Sequence, residues 1–345
     1  MLLILVPTTS STIPKLTRLS ASAAFARSRI RTICISTSGS EAGSLAGEDD
    51  SFSDKAFAFI GPSATHRIIQ ALESITDESL SDVFGESSYF RSYGGAANLC
   101  GLVAILMDCD GYYRFDDDCD FGDTNLPPIR VDEVLFGGYI ETQRHPRAQW
   151  LSEQRSLIRV LDSDSVDRQW KSPIKSGCLA IPHEAAKCAP FPVWFDIDTG
   201  IKPRGEVYDW ERALRPFGFV FRAVDEFQVG HRSHYESDRE AWLLAFALKS
   251  ELAFVANWLA DDRGNEFEAE LARRRADSLE EGGRAALPSP LSERLVAILG
   301  ADAPRFSLKA VPSYLAARSK WRRLIEGLQL PATRSQLIAL VRALA

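Results

Sequence analysis

Between Tyr93 and Asp120 the chain reads YGGAANLCGLVAILMDCDGYYRFDDDCD, and few folds accommodate such a stretch. A Gly-Gly turn opens it. Leu99, Leu102, Val103, Leu106 and Met107 then recur at three- and four-residue spacing, which predicts a helix. A short aromatic strand, Tyr112 to Phe115, follows and stops at Asp116, Asp117 and Asp118. A helix that delivers a buried strand is a unit of an α/β sheet, and in open sheets of that kind ligands bind beyond the carboxyl ends of the strands. Residues two apart on an extended segment point to one side. Asp116 and Asp118 are therefore placed to share a divalent cation, while Asp117 faces away. An acidic run alone also suits a solvated loop or a helix cap, but the apolar strand before it argues for a site. Asp108-Cys109-Asp110-Gly111 looks like the start of a calcium loop, yet no Glu closes twelve residues from Asp108, so an EF-hand is excluded.

The amino-terminal part predicts the rest of such a sheet. Leu2 to Val6 is a continuous apolar run ending at Pro7, followed by the polar residues Thr8 to Thr12. A segment of helical character, 16–27, leads to a second apolar run, Ile30 to Ile35, closed by Ser36-Thr37-Ser38. Strand, loop, helix, strand is the pattern of a parallel sheet covered by helices. After an exposed Ser-, Gly- and acid-rich loop (38–54), a third strand is expected over Ala56–Ile60 and a helix over Thr65–Ile75. Beyond the acidic cluster, Leu126-Pro127-Pro128 breaks regular structure. Strands are then expected at Val131–Tyr139, at Leu179–Ile181 behind a small-residue turn, and at Phe219–Phe221. Residues 140–170 carry many charges and no period, and read as loops.

A Gly-rich turn, a helix bearing Asn98 and a strand ending in Asp-Asp-Asp resemble the middle of glycosyltransferases with the GT-A fold, most like the broad family 2 group. A second block supports the likeness: Gly200 to Arg212 reads GIKPRGEVYDWER, an acidic motif opening a helix. The resemblance spans about residues 1–236 and consists of short motifs in the right order. It implies a Rossmann-like, mostly parallel sheet flanked by helices, and transfer of a sugar from a nucleotide-diphosphate donor to an acceptor.

The same resemblance implies the site. Pro7, Thr8 and Thr9, with Ser36 to Ser38, fall where the family holds base and ribose. Arg91 is placed to reach the diphosphate, and Gly95, Asn98, Asp116 and Asp117 to complete the donor site. Asp116 and Asp118, with His231 ahead of His234, would hold Mn²⁺ or Mg²⁺, for which oxygen ligands are suited. Glu206 and Asp209, three apart on one helix face, would serve at the acceptor as the general base. The departures are two: Val207 stands where many inverting members have the basic Asp, and Ser-Thr-Ser replaces the usual acid after strand two. Capping of the next helix is the plain structural alternative for the Thr and Ser residues, and favourable charge in a first helical turn for Glu206 and Asp209.

From about residue 237 onward a helical C-terminal region (237–345) is expected, with helices near 238–260, 263–284, 291–299, 311–328 and 333–344. Trp242, Phe246 and Trp258 make the first of these the one expected to pack hardest, and the chain beyond 285 less needed for folding. Arg318, Lys320, Arg322 and Arg323 around Trp321 form a basic face that reads first as solvated. The formal charge of −7 and a pI near 5.4 argue against a nucleic-acid partner. Six cysteines in apolar or site-like contexts read as reduced thiols. No apolar run approaches a membrane span, so the expected location is the cytoplasm, with a peripheral place at the inner membrane surface left open. The acceptor class, whether glycan, lipid-linked or small molecule, stays open as well. Two other readings use the same residues: a nucleotidyltransferase acting on sugar phosphates, and a catalytically degenerate domain that binds a nucleotide sugar.

Overall fold

A computed structural model describes residues 2–8, 30–36, 57–60, 62–85, 93–107, 109–116, 119–120, 125–141, 178–193, 206–231, 314 and 316–344. The expected helices at 16–27, 238–260, 263–284 and 291–299, and the loops at 38–54 and 142–170, lie outside the described residues.

The described strands are β1 (Leu2–Thr8), β2 (Ile30–Ser36), β3 (Phe57–Ile60), β4 (Gly111–Phe115), β5 (Cys119–Asp120), β6 (Glu133–Glu141), β7 (Cys178–Pro182) and β8 (Val220–His231). They form one sheet in the order β3-β2-β1-β4-β7-β6-β8-β5. The first four run parallel. β7 is antiparallel to both β4 and β6, and β8 is parallel to β6. The expected mostly parallel sheet is thus a mixed one, because β7 enters it from the opposite end.

Helices α1 (Pro62–Thr76), α2 (Ser81–Phe84), α3 (Tyr93–Leu106), α4 (His183–Cys188) and α5 (Glu206–Leu214) pack on one face of the sheet. Pro62 sits at the first helical position, where its missing N–H costs nothing. α3 is buried along its described length, Gly94 to Leu106, as befits a helix apolar all round. The expected Gly-Gly turn before it is the first turn of α3 itself. A Cβ on Gly94 would collide with the carbonyl of Pro192, and one on Gly95 with the carbonyl of Phe84. The two glycines let the helix start against two other stretches of backbone.

Strand alternation splits β4 between two cores. Tyr112 joins Leu102, Leu179, Ile181, Val207 and Trp210 on the helical side. Tyr113 and Phe115 join Ile4, Cys178, Phe227 and Val229 on the other. Between Phe136 and Gly138 the register of β6 and β8 shifts, and β8 crosses over Gly137, whose Cβ would meet Cys178 Sγ at 2.6 Å. That crossing lays the Phe227 ring edge-on to Tyr113 and Phe115, with centroids 6.1 and 6.0 Å away.

The C-terminal helices α6 (316–327) and α7 (Pro331–Leu344) pack on the same helical core. Tyr314, Ala317, Trp321, Leu324 and Leu337 are all buried in it. Trp321 Nε1 donates to the Ala186 carbonyl at 3.0 Å, and its ring stands edge-on to Phe84. Lys320 pairs with Asp82 at 2.5 Å and Arg323 with Glu78 at 2.5 Å. The basic face around Trp321 is therefore partly committed to carboxylates of the amino-terminal half. The expectation that the chain beyond 285 matters less for folding is overturned, since each buried side chain of leucine size is worth roughly 1.5–3 kcal/mol.

Candidate functional site

The strand order reverses between β1 and β4. β2 and β3 follow β1 outward on one side, and β4 begins the other. Loops leaving the carboxyl ends of two such strands diverge to opposite faces and open a crevice, the usual ligand site of an open α/β sheet. Leu5 pairs with Arg114 in parallel, so two residues further on Pro7 comes level with Asp116, while Thr8 pairs with Ser36. The carboxyl ends of β6 and β8 meet at the same edge, where Glu141 faces His231. His231 in turn lies opposite Cys119 in β5, one residue beyond the acidic run.

Two helices aim their amino ends there. α3 ends at Leu106 just before β4 begins, so its start at Tyr93 lies toward the carboxyl edge. α5 leads into the amino end of β8, which places Glu206 toward that edge too. The topology therefore gathers the backbones of Pro7, Thr8, Asp116, Glu206 and His231 along one rim. The side chains of Pro7, Thr8, Glu206, Asp209 and His231 lie outside the described residues, as do Thr9, Arg91, Asp117 and Asp118 altogether.

Strand geometry stops at Phe115, and the Cys119 N–H donates to the Asp116 carbonyl at 3.1 Å, an i to i+3 bond of the kind that closes a β-turn. The extended alternation expected to set Asp116 and Asp118 on one side does not reach past β4. Asp116 remains, half-buried at the strand end, with one oxygen 3.6 Å from Arg114 Nη2.

Arg114 is the residue that sequence reasoning passed over. It is completely buried, with its guanidinium carbon 5.3 Å from the centroid of the Phe191 ring. Phe191 stacks on Trp210, centroids 4.1 Å apart and planes 18° off parallel. The available signal was an arginine inside an aromatic strand, since arginine is almost never fully buried unless paired. The pair also acts on its surroundings. Burial pushes the nearby Cys100 thiol up to about 12, with Arg114 pulling it down and Asp116 pushing it further up by lesser amounts.

Asn98 and Gly95 do not open onto the crevice. Asn98 is 2% exposed, and its amide is spent on main chain: Nδ2 donates to Val83 O at 2.6 Å and Phe191 O at 2.9 Å, and Oδ1 accepts from Phe191 N at 2.6 Å. Gly95 is buried against Phe84. Their expected donor contacts give way to packing, because both lie on the inner side of α3. Val207 is completely buried beside Trp210 and Leu214, which explains the departure from the acidic motif: a carboxylate at that position would be charged inside the core.

A divalent cation that keeps most of its waters needs only one or two carboxylates plus phosphate oxygens, and Asp116 at the crevice fits that donor chemistry. Among the described residues no three His, Cys, Asp or Glu side chains converge as a metal cage.

No protein-family model matches the chain, and no curated protein matches it. Among solved structures it is similar to the mannosyltransferase PcManGT from Pyrobaculum calidifontis, solved in complex with GDP-Man and Mn²⁺. The identity is 11% over 99% of this chain and 85% of that chain, with a TM-score of 0.38, too loose a likeness to assign a shared fold.

Proposed function

We propose that this chain is a glycosyltransferase of GT-A type, similar to family 2, that moves a sugar from a nucleotide-diphosphate donor to an acceptor. The observation that carries the reading is the strand reversal between β1 and β4, with Asp116 at the end of one strand and Pro7-Thr8 at the end of the other. A nucleoside would lie along Pro7 to Thr9, and its diphosphate would reach Asp116. A bound Mn²⁺ or Mg²⁺, held by Asp116 with Asp118 and His231, would supply positive charge to the leaving diphosphate.

The acceptor side falls to the start of α5. With Val207 turned into the core, Glu206 and Asp209 are the carboxylates of the motif that lie off the buried Val207–Trp210–Leu214 stripe. One of them would take the proton of the acceptor hydroxyl. The catalytic part would be residues 1–236, and the region 237–345 would brace it through Trp321. No described helix is long and apolar enough to cross a membrane. A place in the cytoplasm is part of the same proposal.

The test separates the two carboxylate roles. Calorimetry with nucleoside diphosphates, with and without Mn²⁺, is paired with a donor-hydrolysis and transfer assay on wild type, Asp116→Asn and Glu206→Gln. Asp116→Asn should lose metal-dependent nucleotide binding and turnover together. Glu206→Gln should keep donor binding and lose about a hundredfold to ten-thousandfold in rate, the usual cost of a missing general base. Equal nucleotide binding in EDTA and in Mn²⁺, or no change in either variant, would sink the reading.

A further inference from the structure

Arg114 and Asp116 stand two apart on one face of β4 and its continuation, 3.6 Å from each other. The guanidinium has no exposure, while the carboxylate side chain keeps 24% of its own. Asp116 Oδ1 is itself buried, so the half of the carboxylate nearest Arg114 faces inward. An arginine sealed in a sheet is costly unless a carboxylate and a ring share its charge, and here Asp116 and Phe191 do so.

We propose that Arg114 is a positioning residue and built-in counter-ion for Asp116. It holds one carboxylate oxygen inside the sheet and leaves one for the crevice. It also lowers the negative charge there, so that a divalent cation is retained only in company with a diphosphate. The proposal rests on the donor-site reading above, and its physics is simple. A full positive charge this close to the carboxylate cancels much of the field that would draw in a bare cation. The two phosphates of a nucleoside diphosphate restore that field, and metal and nucleotide then tighten each other's binding by the same factor.

Removing Arg114 has a sign that a scaffolding role does not share. A carboxylate freed from the guanidinium keeps its charge and regains its second oxygen, and both changes favour the bare cation. Mn²⁺ binding without nucleotide, followed by electron paramagnetic resonance of the free ion, is the readout. Arg114→Met should bind bare Mn²⁺ about tenfold or more tightly than wild type, and GDP or UDP should add less to that binding. Arg114→Lys, which keeps the charge, should behave as wild type. Arg114→Met combined with Asp116→Asn should lose the gain, tying it to this carboxylate. Arg114→Gln is a second neutral variant should the Met variant fail to fold, and the wild-type comparison of Mn²⁺ with and without diphosphate needs no variant. Bare Mn²⁺ affinity that is unchanged or weaker in a folded neutral variant overturns the proposal, as does equal Mn²⁺ affinity of wild type with and without diphosphate. Wild type that binds Mn²⁺ but neither nucleoside diphosphate would instead remove the donor-site reading, while the tightening in Arg114→Met would still stand or fall by itself.

Discussion

The side-chain amide of Asn98 pairs with both main-chain groups of Phe191, accepting from its N–H at 2.6 Å and donating to its carbonyl at 2.9 Å. A third bond, to Val83 O at 2.6 Å, ties α3 to α2. Through these bonds the ring of Phe191 is held between Trp210 and Arg114, and a helix residue far from the acidic cluster governs the wall beneath it.

Asn98→Leu should therefore destabilise the protein by about 3 kcal/mol or more, because each buried main-chain group left unpaired costs roughly 1–3 kcal/mol. Urea denaturation would show it as a lower midpoint at unchanged slope. Were Asn98 instead a donor contact, the midpoint would hold and only nucleotide affinity would fall.

Three glycines of α3 should respond in opposite directions. Gly94→Ala and Gly95→Ala put a Cβ into backbone carbonyls of Pro192 and Phe84 and should reduce the yield of folded protein sharply. Gly101→Ala meets only Tyr112 Oη at 3.5 Å and Ala186 Cβ at 3.6 Å, ordinary contacts. Removing glycine from a helix interior there should raise stability by roughly 0.5–1 kcal/mol.

Ending the chain at residue 285 removes Tyr314, Trp321, Leu324 and Leu337 from the core and should leave the remainder insoluble or molten. Trp321→Ala is the milder form of the same experiment, with an expected loss of about 3–5 kcal/mol. Near-ultraviolet circular dichroism and thermal melts would register both. A well-folded 1–285 fragment would refute the bracing role.

Alkaline pH should loosen the fold. Burial lifts the Cys100 thiol from its ordinary 9.0 to about 12 and the Tyr113 phenol from 10.0 to about 12. Above pH 9 the folded state thus holds protons that the unfolded chain has released, and stability falls as pH rises. The contribution is complete below pH 9 and fades toward pH 12. Melting temperatures measured from pH 7 to 11 should decline beyond pH 9, less steeply in Cys100→Ala. A flat profile would contradict these shifts.

Residues 93–120 already announced a helix, a buried strand and an acidic end, because periodicity and composition are local properties and α3 and β4 obey them. β1, β2 and β3 were legible for the same reason, as were the last two helices. β8 was read three residues long and runs from Val220 to His231, since pairing with β6 and β5 carries it on through polar residues that have no strand pattern of their own. Strand order belongs to the tertiary structure alone: that β4 lies beside β1, and that His231 comes back opposite Cys119, depends on contacts between distant segments that no window of sequence contains. The same holds for single side chains. The types Arg114, Asn98 and Val207 could be read at once, but whether each met a ligand or the core was decided by what packed around it. Burial turns a polar group into a structural one when its partners come from other elements, as Val83, Phe191 and Asp116 do here.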